Sequence, residues 1–218
     1  MSKQILMVVT SHAMSEQIQT GLCLEEYAIP YLLFDEQSYR ITTKSIAGGN
    51  VPLEPDSMRG TNVNDFEKAL AQLKNTEALQ STDTHYDAIF LAGGHGAIFD
   101  FPRSNALQIV ISAMAEEKKI IGSVCHGAAG LLTATYKNGK PIIQDKKVTA
   151  FTNEEENELN MTDKLPFLLE SELNELGAQF VRADKWQSFA AVDRQFVTGQ
   201  NPQSSRCVAE MFIDELDN

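Results

Sequence analysis

The stretch Gln4 to Thr10, Q-I-L-M-V-V-T, is apolar at nearly every position over the length of a strand. Successive side chains of a strand point to opposite faces, so such a run needs cover on both. Sheets covered on both faces are the parallel sheets of α/β proteins, with helices packed on each side. Two further runs of the same kind follow, Ala88 to Ala92 and Ile120 to Val124. Between them Leu107, Val110, Ile111 and Met114 recur at i, i+3, i+4 and i+7, the spacing of an amphipathic helix.

The rest of the chain alternates in the same way. Ser11 to Thr20 is polar and reads as a loop at the carboxyl end of the first strand. Gly21 to Phe34 is apolar with Glu25 and Glu26 embedded, and predicts a helix from about Glu26 with Pro30 near its first turn. Arg40 to Ile46 alternates like a strand, and Gly48, Gly49, Pro52 and Pro55 mark an irregular connection. Asn64 is placed to cap a helix from Asp65 to Leu73. Val148 to Phe151 predicts a strand that ends in Thr152-Asn153-Glu154-Glu155-Glu156. Pro166 opens a helix to about Leu176, closed by Gly177. Phe189 to Val192 and Gln195 to Thr198 read as strands joined through Asp193-Arg194, and Pro202 or Ser204 begins a last helix to Leu216. No linker, repeat or low-complexity tract divides the chain. It predicts one α/β domain over residues 1–218, a flavodoxin-like sandwich with a mostly parallel sheet and helices on both faces. Ligands of such sheets bind beyond the carboxyl ends of the strands. The loops after Thr10, Ala92, Val124 and Phe151 meet at that edge.

Charge and cysteine usage narrow the partners. The net charge of −12 disfavours nucleic acid and anionic membranes, which call for clustered Lys and Arg. No apolar run approaches the roughly 20 residues of a membrane span. Met1 to Thr10 lacks a small-residue cleavage site and reads as a first strand and not a signal peptide. Cys23, Cys125 and Cys207 are odd in number and far apart, which fits unpaired thiols and a reducing cytoplasm.

Cys125 is the reactive candidate. It follows the Ile120 run directly, with Ser123 two positions before it and Gly127 two after. That pattern suits a nucleophile elbow, a sharp strand-to-helix turn whose central residue is strained and projects over the sheet edge. A sulfur there lies near the helix N-terminus, where unpaired N–H groups favour the thiolate. Free cysteines are more often buried structural residues, but this context reverses that preference. Gly93-Gly94-His95-Gly96 lacks the spacing of a nucleotide-binding loop. Its glycines instead let backbone N–H groups approach a ligand and, with the N–H after Cys125, form an oxyanion hole.

The chain has four histidines, His12, His85, His95 and His126, none of them beyond the elbow. A triad in nucleophile-then-histidine order therefore has no remote histidine to use. His126 adjoins Cys125 and points away from it unless the elbow bends it round, and His95 is an alternative base. His12 and His85 read as ordinary loop histidines. No H-x-x-x-H or C-x-x-C pair exists, so no metal and no cofactor are expected. Of Glu25 and Glu26, one turns inward, where burial raises a carboxyl's pKa and lets it share a proton with a thiol; first-turn solvation suits Glu25.

Six segments together resemble the ThiJ/PfpI superfamily, whose fold is like that of class I glutamine amidotransferases. They are L-E-E-Y-A-I-P (24–30), A-G-G-H-G (92–96), S-V-C-H-G (123–127), V-T-A-F-T-N-E-E-E (148–156), P-F-L-L-E (166–170) and T-G-Q-N-P-Q-S-S (198–205). The resemblance is nearest to the branch of glutathione-independent glyoxalases and holding chaperones. It implies Cys125 as nucleophile, His126 as its adjoining histidine, Glu26 as the buried glutamate and Gly94 as an oxyanion donor. It also implies an acidic partner of the histidine that falls most naturally on Glu156, with Glu154 and Glu155 close by, and a homodimer. Ser123 replaces a usual alanine, Cys23 an aromatic, and Asp193-Arg194-Gln195 lacks the usual turn glycine.

The resulting expectation is a cofactor-free glyoxalase that converts methylglyoxal or a related small 2-oxoaldehyde to a 2-hydroxy acid. Cys125 would form a hemithioacetal, Glu26 or His126 would move a proton through an enediolate, and Gly94 with neighbouring N–H groups would stabilise it. Competing readings are a stress-related holding chaperone with Cys125 as redox sensor and, against the missing downstream histidine, an amidotransferase or peptidase.

Overall fold

The computed structural model describes residues 2–59 and 62–218; Met1, where the N-terminal run begins, and Gly60 and Thr61 lie outside the described residues. The first half of the chain forms β1 (Gln4–Val9), α1 (Leu24–Glu36), β2 (Arg40–Ser45), α2 (Glu67–Gln72), β3 (Glu77–Ala78), β4 (Ala88–Leu91), α3 (Gly96–Asp100), α4 (Asn105–Glu116) and β5 (Ile120–Val124). The second half adds β6 (Lys147–Val148), α5 (Asn153–Glu158), α6 (Leu169–Glu175), β7 (Gln179–Phe180), β8 (Ala190–Asp193), β9 (Phe196–Gly199) and α7 (Ser205–Asp217).

Seven strands form one sheet in the order β3-β2-β1-β4-β5-β9-β8. Every pairing is parallel except the β8–β9 hairpin. The chain leaves β1 toward β2 on one side and returns to β4 on the other, so the loops after β1 and β4 diverge and leave a crevice. The unbroken apolar runs divide by strand periodicity. Leu6 and Val8 of β1, Leu91 of β4 and Ile121 of β5 pack with Leu107, Val110, Ile111 and Met114 of α4. Ile5, Met7 and Val9, with Phe90 and Val124, pack on the opposite face against Phe34 of α1 and Phe212 of α7. There the rings of Phe34, Phe90 and Phe212 lie 5.0–5.5 Å apart. Burying a side chain of this size stabilises by roughly 1.5–3 kcal/mol, so the three central strands hold the fold from both sides.

Several boundaries differ from those expected, each for a local reason. α1 starts at Leu24, which puts Pro30 inside the helix and not in its first turn. Proline has no N–H for the carbonyl of Glu26, and burial of Tyr27, Tyr31 and Phe34 around the helix offsets the loss. The segment expected to be a helix capped by Asn64 is a 3-10 turn (Val63–Phe66) followed by the short α2. Its residues are mostly exposed, and a helix of that length with little apolar surface to bury is marginal. Of the expected strand Val148–Phe151 only Val148 pairs, with Lys147 before it, in a separate two-stranded sheet with β7. The Thr149 N–H donates instead to Thr198 Oγ1 at 2.9 Å. The helix expected from Pro166 begins at Leu169, and Gly177 ends it at φ 83° as expected. The final hairpin lies one residue later than expected and turns at Arg194, φ 56°, where the usual glycine is missing.

Candidate active site

β5 delivers Cys125 to the crevice. Val124 is extended and Cys125 sits at φ 55°, a left-handed conformation that side chains rarely adopt. The strain marks a functional elbow. The chain leaves the elbow in a 3-10 turn (Cys125–Leu131) and not the expected α-helix, so the dipole beside the sulfur is short. The thiol is 3 % exposed. Burial, with the charge of Glu26 next, pushes it well above its ordinary value. The resting group is therefore a thiol and not the thiolate expected from a helix terminus, and it needs a base.

The elbow supplies one by bending His126 back on its own neighbour. Nδ1 of His126 lies 3.2 Å from Cys125 Sγ, and its Nε2 donates to Glu156 Oε1 at 2.6 Å. Burial and the nearby charge of His95 lower the His126 pKa, leaving a neutral ring able to accept the thiol proton. For Glu156 burial acts upward, but His126 and His95 outweigh it and hold the carboxyl down at about 2. Cys125, His126 and Glu156 thus follow one another in hydrogen-bond reach as thiol, imidazole and carboxylate, the order in which a nucleophile is activated. Of the three clustered glutamates, Glu156 is the one on His126. Glu155 turns to the cap of α5, and Glu154 pairs with Arg182 at 2.7 Å on the surface.

His95 takes a different part from the alternative base expected of it. Its Nδ1 donates to Glu54 Oε1 at 2.6 Å and its Nε2 to Glu156 Oε2 at 3.2 Å. Its backbone N–H also meets Glu54 Oε2, at 3.1 Å. Burial opposes charge here, yet the bonds to Glu156 and Glu54 raise its pKa to about 10. An imidazolium with both nitrogens donating has no lone pair to offer. The rings of His95 and His126 lie 4.2 Å apart, so one charged and one neutral histidine share Glu156.

Glu26 is the inward-turned member of its pair. It is fully buried, and neither carboxyl oxygen has a hydrogen-bond partner among the described residues. Burial, partly offset by the thiol of Cys125, raises its pKa to about 8, so it is mainly the neutral acid at neutral pH. Gly93 makes room for it, since a Cβ there would lie 2.3 Å from Glu26 Oε2. Gly94 adopts φ 98° with no space for a side chain either. These two glycines are how the A-G-G-H-G loop packs against α1.

Glu26, Gly94, His95, Cys125 and His126 line a cavity of about 190 Å³ together with Cys23, Glu54, Phe151 and Trp186. Glu156 and Gly93 stand behind its wall. His12, stacked on Phe99 at 4.4 Å, and His85, against Tyr86 at 4.2 Å, serve other packing. Glu54 and Trp186 carry no local signal in the sequence. Glu54 lies in a proline-flanked connection without periodicity, and Trp186 in a loop after β7. Ligand atoms of His95, His126 and Glu156 lie within 4.8 Å of one another, and holding a cation there would require His95 to give up a proton. Spacing rules could not find this set, because the three come from separate elements far apart in the chain.

Known proteins resemble this chain over nearly its whole length. Residues 17–215 match the DJ-1/PfpI family. Glyoxalase 3 of Candida albicans is 30% identical, over 96% of this chain and 97% of that one. The glutathione-independent glyoxalase HSP31 of Saccharomyces cerevisiae is 28% identical, over 99% of each. Among solved structures, the Rapid Encystment Protein 24 KDa of Francisella tularensis is 37% identical, covers 99% of this chain and 100% of its own, and has a TM-score of 0.93. Glyoxalase III of Candida albicans is 28% identical over 98% and 97%, with a TM-score of 0.84.

Proposed function

The chain belongs to the DJ-1/PfpI family, and from that premise we propose that it is a glutathione-independent glyoxalase, converting methylglyoxal or a similar 2-oxoaldehyde to the 2-hydroxy acid without a cofactor. The observation that carries this reading is the meeting, in one cavity, of an elbow thiol, a neutral histidine and a buried protonated glutamate.

His126 takes the thiol proton as Cys125 Sγ attacks the aldehyde carbon, and Glu26 protonates the aldehyde oxygen to give a hemithioacetal. The carboxylate left on Glu26 removes the hydrogen from the same carbon, forming an enediolate whose ketone-derived oxygen takes the proton held by His126; Glu26 then returns its proton to the neighbouring carbon and takes back the hydroxyl proton of the sulfur-bearing carbon as that carbonyl forms. Backbone N–H groups at Gly94 and after Cys125 are the donors that stabilise the developing oxyanion in this scheme. The product of this shift is a thioester of the 2-hydroxy acid on Cys125. Water, activated by His126, hydrolyses it and restores the thiol. The charged His95 fixes Glu156, and Glu156 holds the His126 tautomer that presents Nδ1 to sulfur.

Among the described residues no helix is long and apolar enough to cross a membrane. The three free thiols support a reducing, cytoplasmic setting. The family resemblance supports a homodimer acting on a small carbonyl compound. The test is to follow methylglyoxal loss and lactate formation without glutathione or metal. Cys125→Ala and Glu26→Gln each reduce turnover to background while the circular dichroism spectrum stays native. Full activity in either variant ends the assignment.

A further inference from the structure

Beyond the reacting groups, the cavity has a second, apolar side. Phe151, Leu159, Trp186 and Pro202 line it together with the thiol. Phe151 joins the two halves, its ring 4.7 Å from His126 and 5.6 Å from Trp186. Trp186 is anchored at both ends of its residue. Its backbone is left-handed at φ 62°, a conformation that persists only when surroundings enforce it. Its N–H donates to the buried Glu155 Oε1 at 2.9 Å and its indole Nε1 to Glu158 Oε1 at 3.0 Å. The adjacent Lys185 pairs with the same Glu158. Helix α5 thereby carries the orienting carboxylate on one side and anchors the aromatic wall on another.

Size and charge define what this wall accepts. A cavity of about 190 Å³ exceeds the needs of a three-carbon 2-oxoaldehyde with five non-hydrogen atoms, since one water occupies about 30 Å³ of liquid. Glu54 and Asp56 border the same space, which disfavours an anionic substituent. We propose that Phe151, Leu159 and Trp186 form a side-chain subsite, making 2-oxoaldehydes with an aromatic or branched aliphatic substituent better substrates than methylglyoxal, with Trp186 as the specificity-determining residue. This rests on the glyoxalase reading and adds to it the class of substituent.

The experiment compares kcat/KM for methylglyoxal, isopropylglyoxal and phenylglyoxal in the native enzyme, Trp186→Ala and Trp186→Phe. The ratio between variants cancels the intrinsic reactivities of the aldehydes. The native enzyme favours phenylglyoxal over methylglyoxal at least tenfold. Trp186→Ala lowers that ratio about tenfold, the scale on which apolar pockets discriminate, and Trp186→Phe restores most of it. A preference unmoved in both variants, or a native preference for methylglyoxal, overturns the proposal and leaves the glyoxalase reading intact. Absence of turnover with all three aldehydes removes the glyoxalase reading itself. Leu159→Ala serves as a second probe of the wall if Trp186→Ala does not fold, and an unchanged ratio there is equally adverse.

Discussion

At the scale of residues, three titrations divide the work. His126 must be neutral to accept a proton, and its pKa lies below the ordinary 6.5. Glu26 must carry one, and its pKa is about 8. The pH profile of kcat/KM is therefore a bell whose acid limb falls below pH 6.5 and whose alkaline limb falls near pH 8. Its alkaline limb, measured with methylglyoxal, moves when Glu26 becomes Asp. Glu26 also has a stability consequence. Its folded pKa exceeds the ordinary 4.5, so the folded state holds its proton more tightly than the unfolded chain does. That contribution is fully present below pH 4.5 and is lost as pH rises toward 8. At about 1.4 kcal/mol per pH unit, an uncharged Glu26→Gln gains on the native protein across that window. Thermal melts show the variant higher in Tm at about pH 8 than the native enzyme, with the gap closing by about pH 5. Glu54→Gln removes one of the two acceptors that keep His95 charged. In that variant the His95 ring protons titrate well below pH 10 by NMR, and kcat falls about tenfold (about 1.4 kcal/mol) as Glu156 loses its fixed orientation.

At the scale of elements, α5 shows how much position matters within one composition. Thr152 and Glu155 form a capping box, with the Thr152 N–H and hydroxyl both donating to Glu155 Oε2. Its other oxygen accepts from Trp186, Gln200 and Asn201. Leaving those neutral donors unsatisfied costs roughly 1–3 kcal/mol each. Glu155→Ala accordingly lowers Tm by roughly 10 °C, whereas Glu154→Ala, which breaks a half-exposed pair with Arg182, stays within about 0.5 kcal/mol. Differential scanning calorimetry of the two separates them. In the sequence, Thr152-Asn153-Glu154-Glu155 is a T-x-x-E start signal, yet the apolar residues before it make it read as the tail of a strand, and which glutamate faces His126 stays open. Composition there is uniform, and only the 100° step between helical neighbours decides. By contrast, the elbow, the A-G-G-H-G loop and Glu26 are legible, because strain and close approach restrict those positions to few residue types. Glu54 is not, because its partnership with His95 spans 41 positions of irregular chain.

At the scale of the whole molecule, the unbroken apolar runs place the parallel sheet and its two covered faces correctly. They leave open the short edge elements, where little burial opposes alternatives. The same contrast governs opening. Amides of β1, β4 and β5 exchange only with global unfolding, while β6–β7 and the loop bearing Trp186 exchange through smaller openings. Hydrogen exchange monitored by mass spectrometry resolves the two classes, and equal protection throughout would contradict this ranking.

The carboxylates packed round His95 bear on how a catalytic cycle ends. In the proposed reaction the 2-oxoaldehyde enters uncharged and is indifferent to Glu54, Asp56 and Glu156. The 2-hydroxy acid leaves as an anion, beside ionised Glu54 and Glu156 that a single imidazolium only half neutralises. Hydrolysis of the thioester thus converts a tolerated guest into a repelled one. The expected consequence is that added lactate inhibits the proposed reaction only weakly.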